Sequence, residues 1–342
     1  MKPTQFKILL ISGFLCVHIL SHTLSAETSA KIPIPVPHTE KPDTKKKPAF
    51  FSIGLGVTAK LQAGAGYEYV FNRSGSVLSR LEWQTLPAQA FGLNTELYCA
   101  GGWHLFFSAD FFLPLHSGRM TDKDFTGAIL TQFSEHKNYL KSGMQYNLTL
   151  GILRPLMEKR PNRVTISAEP LIGVMYFFHR WDAADGYTQY AYNTEVTEAT
   201  PKTVWHGKAA SYTQKILLPT VGVLFKFDLP KQWEIKTAFQ ICPQVLAAAE
   251  DLHYGKNTAF YDEFSKKGFS LHFNLYAEKK LTDVLHFFAA AGYTTAVSYN
   301  GKTTAYNMQT GEAESASDYG AAGTALHIGN IGAGLIFRIG RL

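Results

Sequence analysis

Apolar side chains recur at every second position through much of the chain from Phe51 onward. The alternation is clearest in residues 144–152, 234–241, 269–278 and 330–339. Because successive side chains of a β-strand point to opposite faces, each of these segments has one apolar and one polar face. No run of about 18 apolar residues occurs in this region, so the sequence predicts strands rather than transmembrane helices.

Alternation alone is equally compatible with a soluble β-sandwich, whose apolar face covers a core, and with a membrane barrel, whose apolar face meets lipid. Aromatic residues on the apolar faces favour the barrel, and the segments approach the ~9–11 residues of a tilted membrane-spanning strand. About ten such segments occur, and an even number closes without an exposed edge. The predicted fold is therefore all-β: a closed antiparallel transmembrane β-barrel of about ten strands.

The polar stretches between these segments differ in length. Residues 184–205 and 300–323 are long, whereas residues 153–163 and 228–232 are short. Outer-membrane barrels have long loops outside the cell and short turns on the periplasmic side. The two long stretches are therefore predicted to be extracellular loops.

The N-terminus has the features of a secretory signal peptide. Lys2 and Lys7 are followed by an apolar stretch, residues 8–20, and by the small-residue site Leu24-Ser25-Ala26. An uncleaved membrane anchor is the alternative, but the apolar stretch is short for a span of ~20 residues. We expect a signal peptide over residues 1–26, which also supports the barrel over the sandwich.

Residues 27–50 are rich in proline and lysine. Such a segment has few groups to bury and few N–H donors for a sheet, so a flexible periplasmic tail is expected there, with the barrel over residues 51–342. The formal net charge is only +6, and Lys45-Lys46-Lys47 is the one dense basic block after the signal. No nucleic-acid partner is therefore expected.

Asp122 and Asp124 form the first candidate site. On an extended segment, residues two apart share a face, so the two carboxylates converge and one pKa rises. Such a pair could hold and orient a water molecule. The alternative is a solvated acidic turn or a cation-binding loop.

Asp251 and His253 form the second candidate, again two residues apart. A carboxylate beside an imidazole holds its tautomer and stabilises its protonated form, which suits a general base. The alternative is an ordinary surface histidine.

A third polar segment, residues 131–136, is expected to be a loop. Ser134 as a nucleophile would need a base and an oxyanion hole that the sequence does not supply. Zinc-type Cys/His spacing and nucleotide-binding glycine loops are absent from the sequence, so no metal or cofactor is expected.

Taken in chain order, these motifs resemble the omptin family, the outer-membrane proteases of Gram-negative bacteria. The similarity covers residues 52–338 and includes a gapless stretch, residues 81–125, that resembles the family's second and third strands. The residues at signature positions are Met120, Asp122, Asp124, Phe125, Thr131, Ser134, His136, Trp181, Asp182, Ala183, Asp251, Leu252, His253 and Tyr254.

The resemblance implies a ten-stranded barrel in the outer membrane whose strands extend above the lipid, with an endopeptidase site at the outer rim facing the exterior. A water molecule between Asp122 and Asp124 on one side and Asp251 and His253 on the other would be the nucleophile. Its partners would be outer-membrane lipid and peptide or protein substrates, with no metal or cofactor. A monomer is the expectation, although the sequence does not determine the oligomeric state.

The sequence departs from the family pattern at its pocket for basic side chains. Ala249 stands where an acidic residue is expected, and the first-strand position falls near Gly66, with Glu68 the nearest carboxylate on that face. Val174, Tyr176 and Phe178 stand where the family has part of its lipopolysaccharide contacts, and only Lys215 and Lys267 resemble the remaining basic contacts. The alternative function is a catalytically silent barrel that acts as an adhesin or binding protein.

Of the three cysteines, Cys16 lies in the signal peptide. By the resemblance, Cys99 lies at a periplasmic turn and Cys242 in the upper part of a strand, so two unpaired thiols are expected. A diffusion porin is the least favoured function, because ten strands leave a narrow lumen that side chains largely fill.

Overall fold

The computed structural model describes residues 51–340, except residue 153 and residues 160–163, 192–193 and 266–267. The predicted signal peptide and proline-rich tail, together with Arg341 and Leu342, lie outside the described residues. No helix in the described part is both long and apolar enough to cross a membrane.

Fourteen antiparallel strands and two short 3-10 turns, Ala100–Gly102 and Pro230–Gln232, make up the described chain. The strands are β1 (Phe51–Phe71), β2 (Val77–Cys99), β3 (Trp103–Phe112), β4 (Leu115–Thr126), β5 (Ile129–Ile152), β6 (Arg154–Lys159), β7 (Val164–Tyr190), β8 (Lys202–Leu229), β9 (Trp233–Cys242), β10 (Leu246–His253), β11 (Thr258–Phe264), β12 (Phe269–Lys280), β13 (Leu285–Asn307) and β14 (Ala313–Gly340).

The hydrogen-bonded ladders run around a closed cycle. β1 pairs with β2 on one side and with β14 on the other. β3 and β4 share one position between β2 and β5, β9 and β10 share the next position after β8, and β11 and β12 share the position before β13. β6 continues the position of β5, because it pairs with β7 directly after the β5 ladder ends. Counting each shared position once leaves ten positions around the wall, which confirms the predicted barrel.

Half of the first long polar stretch and most of the second are strands rather than loops, contrary to the prediction. β7 continues to Tyr190 and pairs with β8 from Lys202. β13 continues to Asn307 and pairs with β14 up to Ala313. Strands that project beyond the lipid have water on their outer face, so the apolar alternation stops while the backbone ladder continues. The connections that remain are residues 191–201 and 308–312.

An apolar band surrounds one half of the barrel. Its exposed side chains include Leu55, Val57 and Leu61 of β1 and the neighbouring Ile331 and Phe337 of β14. Inside this half, the lumen is filled by an ion-pair network in which Arg338 bonds Glu96 at 2.7 Å and Glu278 at 2.8 Å, and Lys236 bonds Glu96 at 3.3 Å. The lumen recesses measure only about 60 and 40 Å³.

The other half projects past the apolar band. It carries the connections after β1, β4, β7, β10 and β13, whereas the connections after β2, β8 and β12 lie at the opposite end. Glu68 of β1 lies seven residues past Leu61, a distance of about 20 Å along a strand at ~3.3 Å per residue. This projecting half contains the candidate site residues.

Candidate active site

Three aromatic side chains close the lumen of the projecting half. Trp83, Trp181 and Tyr212 are fully buried, and the Tyr212 ring stacks on both indoles at centroid distances of 5.5 and 5.9 Å. The Trp181 indole N–H donates a hydrogen bond to Thr85 Oγ1 at 3.2 Å. These rings form a floor across the lumen, and the part of the lumen beyond them, toward the projecting end of the barrel, is called the cleft below.

The acidic wall of the cleft comes from β4. Asp122 pairs with Leu81 of β2 and with Ser134 of β5, so it lies within a regular strand rather than in the solvated turn that the sequence left open. Asp122 is 6% exposed and accepts a hydrogen bond from Ser79 Oγ at 3.1 Å. Burial, reinforced by the negative charge of Asp124, raises the pKa of Asp122 to about 7.

The opposite wall comes from β10, where Asp251 and His253 point into the cleft. His253 Nε2 shares a hydrogen bond with Asp251 Oδ2, and the imidazole packs edge-on against Phe260 at a centroid distance of 5.6 Å. Burial disfavours the imidazolium, but the Asp251 carboxylate outweighs it, so the pKa of His253 is raised. The histidine is thus held by its carboxylate partner and is not an ordinary surface residue.

The two pairs lie at the same end of the barrel and face one cleft. β4 and β10 are four positions apart in the ten-position ring, so they occupy nearly opposite walls. Even so, Asp122 is close enough to His253 for each to shift the pKa of the other. The barrel therefore brings together residues that are more than a hundred positions apart in the chain.

Glu68 of β1 is a third component of the cleft. It is 3% exposed, and its Oε2 and the Asp251 Oδ1 lack any N–H or O–H partner among the described residues. Burial and the carboxylates of Asp251, Asp262 and Asp122 raise the pKa of Glu68 well above its ordinary value. A proton retained by Glu68 lets its carboxyl group donate a hydrogen bond to the Asp251 side chain.

Asp262 of β11 is a cleft residue that the sequence analysis missed. It lies directly opposite Ala249 in the β10–β11 ladder and is 5% exposed. Burial raises the pKa of Asp262 to about 7, aided by Asp251 and opposed by a hydrogen bond from Thr303. The alternation of Thr258, Phe260, Asp262 and Phe264 could have placed it on an inner face, but only the ladder register places it beside Ala249.

The polar segment 131–136 lies in β5 and is not a loop, contrary to the prediction. Most of its side chains are polar on both faces of the strand, so the sequence lacks the apolar alternation from which a strand is predicted. Ser134 bonds Thr188 Oγ1 at 3.0 Å, and Thr131 Oγ1 donates to the Asp124 carbonyl at 3.3 Å. His136 is buried, which lowers its pKa. These residues support the β4 wall.

Gly66 packs against Trp181 of the aromatic floor, so a methyl group there would lie 2.8 Å from the indole. The other sequence landmarks lie away from the cleft. Val174 is exposed on the outer face of β7, and Tyr176 stacks on Tyr146 at 6.2 Å. Lys267 lies outside the described residues. Cys99 is exposed, Cys242 is buried, and both are free thiols, as predicted.

The sequence matches the profile of the Omptin family over residues 48–339, which is most of the chain. The chain belongs to the omptin family. Among solved structures, the outer-membrane protease OmpT of Escherichia coli aligns with a TM-score of 0.73 and 16% identity, covering 84% of this chain and 97% of OmpT. No curated protein matches the chain in sequence.

A looser similarity extends to other outer-membrane barrels. OprG of Pseudomonas aeruginosa aligns with a TM-score of 0.37 and 10% identity over 85% of this chain and 97% of OprG. The attachment protein Ail of Yersinia pestis aligns with a TM-score of 0.28 and 8% identity over 86% of this chain and 100% of Ail. The family assignment and the OmpT fold together identify this omptin as an outer-membrane β-barrel of a protease family.

Proposed function

We propose that this omptin is an outer-membrane endopeptidase that uses a water nucleophile held between Asp122 and Asp124 on one wall and the Asp251–His253 pair on the other. The cleft would face the cell exterior, and one chain would supply the whole site. The observation that carries the proposal is the electrostatic coupling of Asp122 to His253 above a closed aromatic floor.

The chemistry follows from the positions of the proton donors and acceptors. Neutral His253 accepts a proton from the water, and the resulting hydroxide adds to the carbonyl carbon of the scissile peptide bond. Asp251 stabilises the imidazolium that forms. The tetrahedral intermediate then collapses, the C–N bond breaks, and His253 returns the proton to the leaving amine.

Asp122 and Asp124 would position the water and receive the developing charge. With a pKa of about 7, Asp122 carries a proton in part of the molecules at neutral pH, and Ser79 holds its carboxyl group in place. A protonated Asp122 donates a hydrogen bond to the oxyanion, which is the electrostatic stabilisation that acyl-transfer sites require. No step in this sequence needs a metal ion or cofactor.

The test is cleavage of a mixed peptide library by refolded protein in lipid vesicles, read by mass spectrometry. His253→Ala and Asp122→Asn should each lower kcat/KM by at least 10²-fold, consistent with the loss of a general base or an electrostatic stabiliser. Glu198→Gln, an exposed carboxylate between β7 and β8, is the matched control and should cleave like the parent. Cleavage that survives both site variants would overturn the assignment.

A binding protein without turnover is the competing outcome of the same experiment. If the refolded parent barrel binds peptides from the library but cleaves none of them, the cleft has kept its scaffold and lost catalysis. That result would exclude the peptidase proposal.

A further inference from the structure

A second recess lies on the reverse face of the sheet that carries Asp251 and His253. Its volume is about 570 Å³. On β10, Glu250 and Leu252 alternate with Asp251 and His253, so their side chains point away from the cleft to the outer surface. The lining residues are Glu250, Leu252, Ala259, Tyr261, Tyr306, Asn307, Met308 and Gly311.

Three adjacent strands and one tied turn build the recess. Ala259 pairs with Leu252 on one side and with Tyr306 on the other, and its small side chain leaves the space between those two larger ones. The rim is the turn after β13, where Asn307 Oδ1 accepts hydrogen bonds from the N–H groups of residues 309 and 310 at 2.9 and 3.2 Å. Met308 N donates to the Asn257 carbonyl at 2.9 Å.

The walls combine one carboxylate with two aromatic rings. Glu250 and Tyr261 are directly opposite in the β10–β11 ladder, and Tyr261 donates a hydrogen bond to the Glu250 carboxylate, which raises the pKa of Tyr261. Tyr261 and Tyr306 meet edge to face at 5.4 Å. Glu250 is the one charged side chain among the described lining residues.

Other charged residues lie on the same outer face but outside the recess. Lys302 of β13 is the ladder partner of Glu263 of β11, two residues from Tyr261, and Lys215 of β8 is the ladder partner of Ala248, two residues from Glu250. Glu314 accepts a hydrogen bond from Asn307 at the rim and adds a further negative charge. Within the recess itself, the Glu250 carboxylate repels an anion, whereas a cation gains both the carboxylate and the ring faces.

We propose that this recess binds the guanidinium or ammonium group of a basic side chain on a polypeptide. One oxygen of Glu250 is engaged by Tyr261, and the other remains to accept an N–H hydrogen bond. A quaternary ammonium group has no N–H to donate, and two rings meeting edge to face do not enclose one. The site is separate from the cleft, and the inference holds whether or not the cleft cleaves peptides.

The experiment measures binding of N-acetyl-arginine amide and N-acetyl-lysine amide to the refolded barrel by saturation-transfer NMR and titration calorimetry. N-acetyl-citrulline amide, of the same shape but neutral, and choline are the comparison ligands. The His253→Ala background removes turnover. Arginine amide should bind at least tenfold more tightly than citrulline amide or choline.

Three variants locate the binding. Glu250→Gln keeps the acceptor for Tyr261 and removes the charge, Ala259→Met fills the recess, and each should weaken arginine binding at least tenfold, whereas Glu198→Gln should not. Unchanged binding in both recess variants would put the cation elsewhere, in the cleft for example, and overturn the proposal. Absence of binding, or choline binding as tight as arginine binding, would overturn it as well.

Discussion

Glu68 of β1 hydrogen bonds across the lumen to Asp251 of β10, the residue that holds the imidazole of His253. The two strands are not neighbours in the sheet, so this bond exists only because the barrel is closed. It requires a proton on Glu68, since two ionised carboxylates at that distance would repel one another.

This proton gives the first prediction. Glu68→Gln keeps a donor for Asp251 and should retain peptidase activity within about threefold of the parent. Glu68→Ala leaves Asp251 with an unpaired oxygen and frees the His253 pair to move, so kcat should fall by about tenfold to a hundredfold, with KM changed less. The measurement is steady-state kinetics on a peptide found in the library. Equal losses in both variants would show that the proton on Glu68 plays no part.

The second prediction concerns the pH profile. The raised pKa of His253 means that the imidazole becomes a neutral base only above its ordinary titration range, so the acid limb of the kcat/KM profile should follow that raised pKa. At higher pH, kcat/KM should fall again as Asp122, with a pKa of about 7, loses the proton that it donates to the oxyanion. Asp251→Asn removes the charge that raises the pKa of His253, so the acid limb should move to lower pH while the maximal rate falls. An acid limb that stays in place would remove His253 from the role of base.

The third prediction is a stability change at Asp262. Its folded pKa of about 7 exceeds the ordinary value of 3.8, so the folded protein binds this proton more tightly than the unfolded chain. That stabilisation is complete below pH 3.8 and is lost as the pH rises to about 7. Asp262→Asn stays neutral at every pH. Relative to the parent, its free energy of unfolding should therefore be higher at pH 8 than at pH 4 by roughly 1–4 kcal/mol, at about 1.4 kcal/mol per pKa unit.

Urea unfolding of the barrel in lipid vesicles at the two pH values measures this difference. Glu198→Gln, at an exposed position between β7 and β8, is the control for the change from carboxylate to amide. If the difference in urea midpoint between Asp262→Asn and the parent is the same at pH 4 and at pH 8, the raised pKa of Asp262 is contradicted.

The fourth prediction concerns the aromatic floor. In Gly66→Ala the added methyl group lies 2.8 Å from the Trp181 indole, so the ring must shift against Tyr212. Overpacking of this kind costs about 1–3 kcal/mol of stability. Gly329→Ala of β14 is the matched control, since its methyl group would meet no atom closer than 3.8 Å. The urea midpoint of Gly66→Ala should be lower than that of Gly329→Ala. The near-ultraviolet circular dichroism spectrum should change in Gly66→Ala alone.

Much of the candidate site followed from the two-residue period of a strand. Asp122 with Asp124, and Asp251 with His253, share a face wherever they lie in a sheet, so each pair was predictable before any fold was known. The order of the motifs then associated the pairs with the omptin family. The polar strand ends around Tyr190, Ser134 and Asn307 were missed, because a strand with water on its outer face loses the apolar alternation that reveals it.

The amino-acid sequence alone predicts the barrel and the pairs Asp122–Asp124 and Asp251–His253, because both predictions depend on residues that are close together along the chain. The proximity of Asp122 to His253 and the hydrogen bond between Glu68 and Asp251 depend instead on closure between β1 and β14. The position of Asp262 beside Ala249 depends on the register of the β10–β11 ladder. A shift of one residue in either ladder would turn these side chains to the other face. The cleft is therefore a property of the closed sheet, since its two walls approach each other only across the lumen.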